Sequence, residues 1–146
     1  MKDKTERAHT IAALVDNEPG VLARVIGLFS GRGYNIESLT VSEVDKAQGL
    51  SRITVVTSGT AMVIEQIKAQ LARLVPVHDV HDLSTEGPCL ERELALIKVR
   101  NTGEARIEAL RLADMFRANA IDSTLSSFVF EVTGSPRKIN AVIDLM

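Results

Sequence analysis

The chain has 146 residues, 45% of them hydrophobic and 25% charged, with a net charge of −2. That length holds one ordinary domain or two small ones, and the near-neutral balance argues against a generic electrostatic nucleic-acid binder, although a local basic patch can hide in a balanced total. No apolar run is long enough to span a bilayer, and Met1-Lys2-Asp3-Lys4-Thr5-Glu6-Arg7 holds no apolar signal region, so the expected location is cytoplasmic with no membrane partner.

His9 to Val15 reads as a buried strand. Residues 20–31 read as a helix, with Val21, Leu22, Val25, Ile26 and Phe29 on one face. Gly31 and Gly33 stop it, as glycines just past a helix end commonly do. Residues 34–44 alternate, with Ile36, Leu39, Val41 and Val44 set among polar residues. A polar turn at 45–49 leads into a second strand, Leu50 to Thr57, and the pair reads as a hairpin. A helix follows Ser58-Gly59-Thr60, with Met62, Val63, Ile64, Ile67, Leu71 and Leu74 apolar, and Pro76 ends it. Val77 to Leu83 reads as a strand of imperfect alternation. The order β-α-β-β-α-β is the ferredoxin-like split motif. One antiparallel sheet then carries both helices on one face and leaves the other free for a partner.

Thr85 to Cys89 is a short connector. Cys89 is the single cysteine, so neither an intrachain disulfide nor a cysteine metal cluster can form, and in its linker-like run it reads as structural or incidental instead of as a nucleophile. The pattern then partly repeats. Glu93 to Arg100 is a strand. Glu104 to Asn119 is a helix with Ile107, Leu110, Leu112, Met115 and Phe116 apolar. Ile121 to Ser126 and Phe128 to Val132 form a hairpin. Ser135-Pro136 starts a last helix with Ile139, Val142, Ile143 and Met146 on one side. This second unit lacks a closing strand, and an uncovered edge invites pairing with another chain. The expected fold is α+β with two tandem ferredoxin-like units, residues 8–84 and 91–146, the second incomplete.

The turn Asp16-Asn17-Glu18-Pro19-Gly20 precedes the first helix. A helix start with a proline and a glycine leaves free backbone N–H groups and a positive dipole end, where a small carboxylate fits. Taken alone, Asn17-Glu18-Pro19-Gly20 is most often just a turn and a helix cap. Gly31-x-Gly33 is too short for a dinucleotide fingerprint and follows a helix instead of a strand. His78 and His81 lie three apart in a strand, so they point to opposite faces and cannot easily share a metal. The Ser, His and Asp residues form no nucleophile motif. No catalytic or metal residue is expected.

Set on the first strand and helix of such a unit, the Asp16-to-Ile36 segment resembles the ACT domain, a ligand-sensing module of amino-acid biosynthetic enzymes. Val25-Ile26-Gly27-Leu28-Phe29-Ser30, then Arg32-Gly33-Tyr34-Asn35-Ile36-Glu37-Ser38-Leu39, is similar to the regulatory (small) subunit of acetolactate synthase. Leu50-Ser51-Arg52-Ile53-Thr54 and Glu91 to Val99 fit the same family, so the resemblance covers almost the whole chain.

The resemblance implies a subunit without catalysis of its own. Such a subunit binds and activates a catalytic (large) subunit that uses thiamine diphosphate, magnesium and FAD to condense pyruvate with a second 2-ketoacid. It also makes that enzyme sensitive to a branched-chain amino acid, usually valine, and carries no cofactor itself. The first domain is expected to form a homodimer, with valine held between the first helix of one chain and the second-strand entry of the other. Carried onto this sequence, the helix-start residues are Asn17, Gly20, Val21 and Leu22, and the facing residues are Asn35 and Ile36. The family continues by a further strand and tail past the position of Met146.

Those residue types suit the ligand. Backbone N–H groups at Gly20-Val21-Leu22 would hold the carboxylate, and Gly20 lets it approach. The amides of Asn17 and Asn35 would meet the ammonium and carboxylate, with Leu22 and Ile36 as apolar wall. Such a wall separates side chains one methylene apart by only about 1–3 kcal/mol, so leucine and isoleucine are not ranked against valine. The alternative is a free-standing amino-acid-binding ACT protein that regulates another enzyme or transcription. A helix-turn-helix and a basic patch would favour it, and the sequence displays neither.

Overall fold

In the computed structural model, which describes residues 6–146, β1 (Arg7–Asp16) is the inner strand around which the first unit is built. It pairs antiparallel with β3 (Leu50–Gly59) from Arg7↔Gly59 to Asp16↔Leu50, and with β4 (Val77–Asp82) on its other side. β2 (Ser38–Asp45) lies outside β3, so the order is β2-β3-β1-β4. Helices α1 (Val21–Gly31) and α2 (Ala61–Ala72) complete the β-α-β-β-α-β order. Ile11, Ala13 and Val15 of β1 and Ile53 and Val55 of β3 form one core with Val21, Val25, Phe29, Ile64, Ile67 and Leu71 of the helices. Met62 does not join that face; it stands 59% exposed in the first turn of α2.

The opposite sheet face is mostly polar. The pairing places Thr40, Thr54, Ala12 and His81 in one row and Ser42, Arg52, Leu14 and Asp79 in the next. At the sheet end, buried Asp82 accepts from the His9 ring at 2.8 Å and from the Ser84 N–H at 3.1 Å, so its carboxylate is not orphaned.

The strand expected from residue 34 begins only at Ser38. The helix end explains the delay. Gly33 takes φ +72°, its N–H reaches the Ser30 carbonyl, and the Tyr34 N–H reaches the Phe29 carbonyl at 3.0 Å. This is a Schellman close, in which a left-handed residue turns the chain back over the last helical carbonyls. The ring of Tyr34 then stands edge-on to Phe29, centroids 6.2 Å apart, as the apolar contact that accompanies such a close. Buried Thr57 donates to the Asn35 carbonyl at 2.5 Å and fixes the crossing into β2.

The chain divides between Cys89 and Leu90, and the second unit is described by itself. β5 (Glu93–Arg100), β6 (Asn119–Ser123) and β7 (Ser127–Gly134) form an antiparallel sheet of order β5-β7-β6. α3 (Glu104–Met115) and α4 (Pro136–Leu145) follow β5 and β7. Among the described residues no strand pairs with the outer side of β5.

Two readings of this unit need correction. The helix expected to reach Asn119 stops at Met115, and Asn119 opens β6. Arg117 takes φ +56°, with its N–H on Asp114 and the Ala118 N–H on Ala113 at 2.8 Å, a second Schellman close built on a non-glycine residue. The hairpin strands expected at 121–126 and 128–132 run 119–123 and 127–134 instead. A turn in which the Thr124 N–H meets the Ser127 carbonyl at 2.8 Å sets those bounds. Within α3, Ala109 and Ala113 turn inward, while Ile107, Leu110 and Met115 stand 55%, 41% and 76% exposed. Phe128 and Phe130 from β7, 5.4 Å apart, fill the space beneath that helix and leave room for small residues only.

Candidate ligand-binding site

Gly20 stands at the helix cap of α1 with φ +85° and ψ −9°, and no side chain caps the helix. The Val21 N–H reaches back to the Glu18 carbonyl at 3.4 Å, and the Arg24 N–H reaches the Gly20 carbonyl at 3.1 Å. The N–H groups of Leu22 and Ala23 are therefore the open donors at this positive helix end. A Cβ added at Gly20 would meet nothing within 4 Å, so the backbone there is open to a ligand.

Asn17 sits beside this end, pinned through its N–H to the Gly49 carbonyl at 2.7 Å. Its side-chain amide donates to Glu43 Oε1 at 3.3 Å, which leaves its own oxygen to accept from an ammonium. Asp16 takes the ring of His78 at 2.6 Å. The corner thus offers two backbone donors for an anion with carboxylate and amide acceptors for a cation nearby, an arrangement that suits a zwitterion. Leu22 is 38% exposed and forms an apolar flank, whereas Val21 is 6% exposed and its side chain belongs to the core.

Asn35 and Ile36 lie past the other end of the helix. α1 has 11 residues, so at 1.5 Å each about 16 Å of helix separates them from Gly20. Asn35 presents its side chain to solvent and Ile36 is half-buried against the core. One chain therefore does not bring the six expected residues together. It carries a helix-start group (Asn17, Gly20, Leu22, with the Val21 backbone) and a separate loop group (Asn35, Ile36).

Two contributors escaped the sequence reading. Ala23 supplies an N–H and nothing in its identity signals it. Glu43 approaches Asn17 only because β2 lies outside β3, a consequence of strand order that no local motif displays. On the outer sheet face, His81 is held between Asp79 Oδ2 at 2.7 Å and Glu86 Oε2 at 2.8 Å. The bonds to Asp79 and Glu86 raise its pKa above the ordinary 6.5. Among the described residues, no group of three or more His, Cys, Asp or Glu is placed to hold a metal, and no helix is long and apolar enough to cross a membrane.

Comparison with known proteins bears on both units. A family model described as an AHAS small subunit-like ACT domain matches residues 11–79, and one described as the small subunit of acetolactate synthase matches residues 92–146. The chain is 48% identical to a probable acetolactate synthase small subunit of Archaeoglobus fulgidus over 94% of its own length and 85% of that protein's. It is 44% identical to the small subunit of acetolactate synthase isozyme 3 of Escherichia coli, over 91% and 80%. Among solved structures, the acetolactate synthase small subunit of Thermotoga maritima superposes with a TM-score of 0.85 at 40% identity, covering 96% of this chain and 86% of that one.

Proposed function

The chain belongs to the acetolactate synthase small-subunit family, and from that premise we propose that it binds and activates the catalytic subunit of that enzyme and makes it answer to valine. The observation that carries the ligand half of this reading is the uncapped start of α1. Gly20 opens the backbone, the Leu22 and Ala23 N–H groups stand free, and Asn17 and Glu43 supply acceptors beside them. An amino acid needs both signs of partner within one side chain's reach, and this corner has them. An anion at a helix start gains about 0.3–1 kcal/mol when exposed and up to roughly 2 when partly buried.

The separation of Gly20 from Asn35 and Ile36 within one chain supports a homodimeric site, each ligand bridging the helix start of one protomer and the loop of its partner. Such a ligand favours one dimer geometry in proportion to its differential affinity for it, and the catalytic subunit reads that geometry. The thiamine diphosphate, magnesium and FAD chemistry belongs on this reading to the catalytic partner. Leucine and isoleucine compete at the same corner within the limits of one methylene. The test is acetolactate formation by the catalytic subunit alone, with this chain, and with this chain plus L-valine. A rise on adding the chain and a fall with L-valine, but not D-valine, is the expected result; an unchanged rate in both steps refutes the reading.

A further inference from the structure

The helix side of the first unit carries a basic groove that the sequence does not display. Arg24 and Leu28 of α1, Arg32 at its close, and Gln70, Arg73 and Leu74 at the end of α2 line a depression of about 420 Å³. The three guanidiniums come from separate places in the chain, and no acidic residue lines the groove. Among the described residues none of the three makes an ion pair, although the chain as a whole carries a net charge of −2. Leu28 and Leu74 are half-buried against the core and form an apolar floor. Gln70 Oε1 is shut off from water and has no hydrogen-bond partner.

We propose that this groove between α1 and α2 is the docking site for an acidic segment of the catalytic subunit, a proposal that rests on the functional reading above. Charge selects the occupant: three unpaired arginines and no acid call for carboxylates, and arginine forks match carboxylates bidentately. Openness selects a protein over a small anion. All three arginines are exposed, and an exposed ion pair gains little in water. A protein surface laid over the groove excludes that water and covers Leu28 and Leu74. Arginine is also among the residues enriched at interface centres.

The test compares the full chain with R24E/R32E/R73E and with R24Q/R32Q/R73Q for affinity to the catalytic subunit by biolayer interferometry, with L-valine titration and circular dichroism on each. The neutral triple keeps the test valid if charge reversal disturbs folding. The expected result is at least about tenfold weaker binding for the neutral triple and a larger loss for the reversal, with the neutral triple folded and still binding valine. Binding of the unaltered chain should weaken with salt, and that salt dependence should flatten in the variants. If the unaltered chain binds and both folded triples bind equally well, the docking site is wrong while the functional reading stands. If the unaltered chain binds no catalytic subunit at all, both fall. Phosphate held by the groove, with partner affinity unaffected by the substitutions, overturns the proposal in favour of a small-anion site.

Discussion

Gly20→Asp places a carboxylate where the ligand's own carboxylate is expected. The backbone tolerates it at a cost. Gly20 sits at φ +85°, and a side chain in the left-handed region costs roughly 1–2 kcal/mol, offset by about 0.4–1 from the stiffer unfolded chain. Net folding stability should fall by about 1 kcal/mol, less than most domains can spare, because the new Cβ meets nothing within 4 Å. The ligand suffers more. Loss of the helix-start contact alone removes roughly 0.3–2 kcal/mol, a factor of about 2 to 30 in affinity, and the added like charge multiplies it. The half-inhibitory valine concentration of the reconstituted enzyme should therefore rise tenfold or more, with activation retained, since the substitution lies outside the arginine groove. Gly20→Ala separates the causes: it shares the strained φ but adds no charge, so its valine response should shift less. An Asp variant with ordinary valine sensitivity would sink the site assignment; equal loss in both variants would move the cause from charge to backbone geometry.

Gly33 and Arg117 occupy the same position in two Schellman closes, so substitutions there should have opposite signs. Gly33→Ala should lower the unfolding free energy, read by chemical denaturation, by about 1 kcal/mol and Arg117→Gly raise it by up to about 1, and matching signs would refute the account of both helix ends. His81, raised in pKa by Asp79 and Glu86, binds a proton more tightly folded than unfolded. Its contribution is therefore present below its ordinary 6.5 and is lost as pH climbs through the raised value. NMR titration of the ring should show a pKa above 6.5 that falls on Asp79→Asn, and no fall would remove Asp79 as the leading cause. Phe29, fully buried beneath Tyr34, should cost about 3–5 kcal/mol on truncation to Ala, measured by chemical denaturation.

The strand and helix order of both units was readable because burial writes itself into period: Ile11, Ala13 and Val15 alternate, and Val21, Val25 and Phe29 recur at helical spacing. Gly33 announced the end of α1 because glycine is the default left-handed residue. Arg117 does the same job at the end of α3 with no local signal, and the helix was therefore read too long. The inward face of α3 has no signal in side-chain size: Phe128 and Phe130 of the strand beneath it take the volume, and Ala109 and Ala113 pack against them. The ligand corner divides the same way. Gly20 and Asn17 are legible as helix-start chemistry, whereas Glu43 arrives through the sheet order. The arginine groove was invisible because Arg24, Arg32 and Arg73 meet only when α1 and α2 pack side by side.

If ligand contacts are split between two protomers across the length of α1, ligand and dimer must stabilise each other. A ligand that binds only the dimer strengthens it by RT ln(1 + [L]/Kd), about 2.7 kcal/mol per site at a hundredfold excess over Kd, and a two-fold dimer has two such sites. L-valine at that excess should lower the dimer dissociation constant by about 100-fold for each occupied site, and D-valine should leave it unchanged. Sedimentation velocity over a dilution series reads this directly. The opposite outcome is equally clear: a monomer that binds valine with the affinity of the dimer needs no partner loop. Asn35 and Ile36 would then leave the site, and the ligand would rest on Asn17, Gly20, Leu22, Ala23 and Glu43 alone.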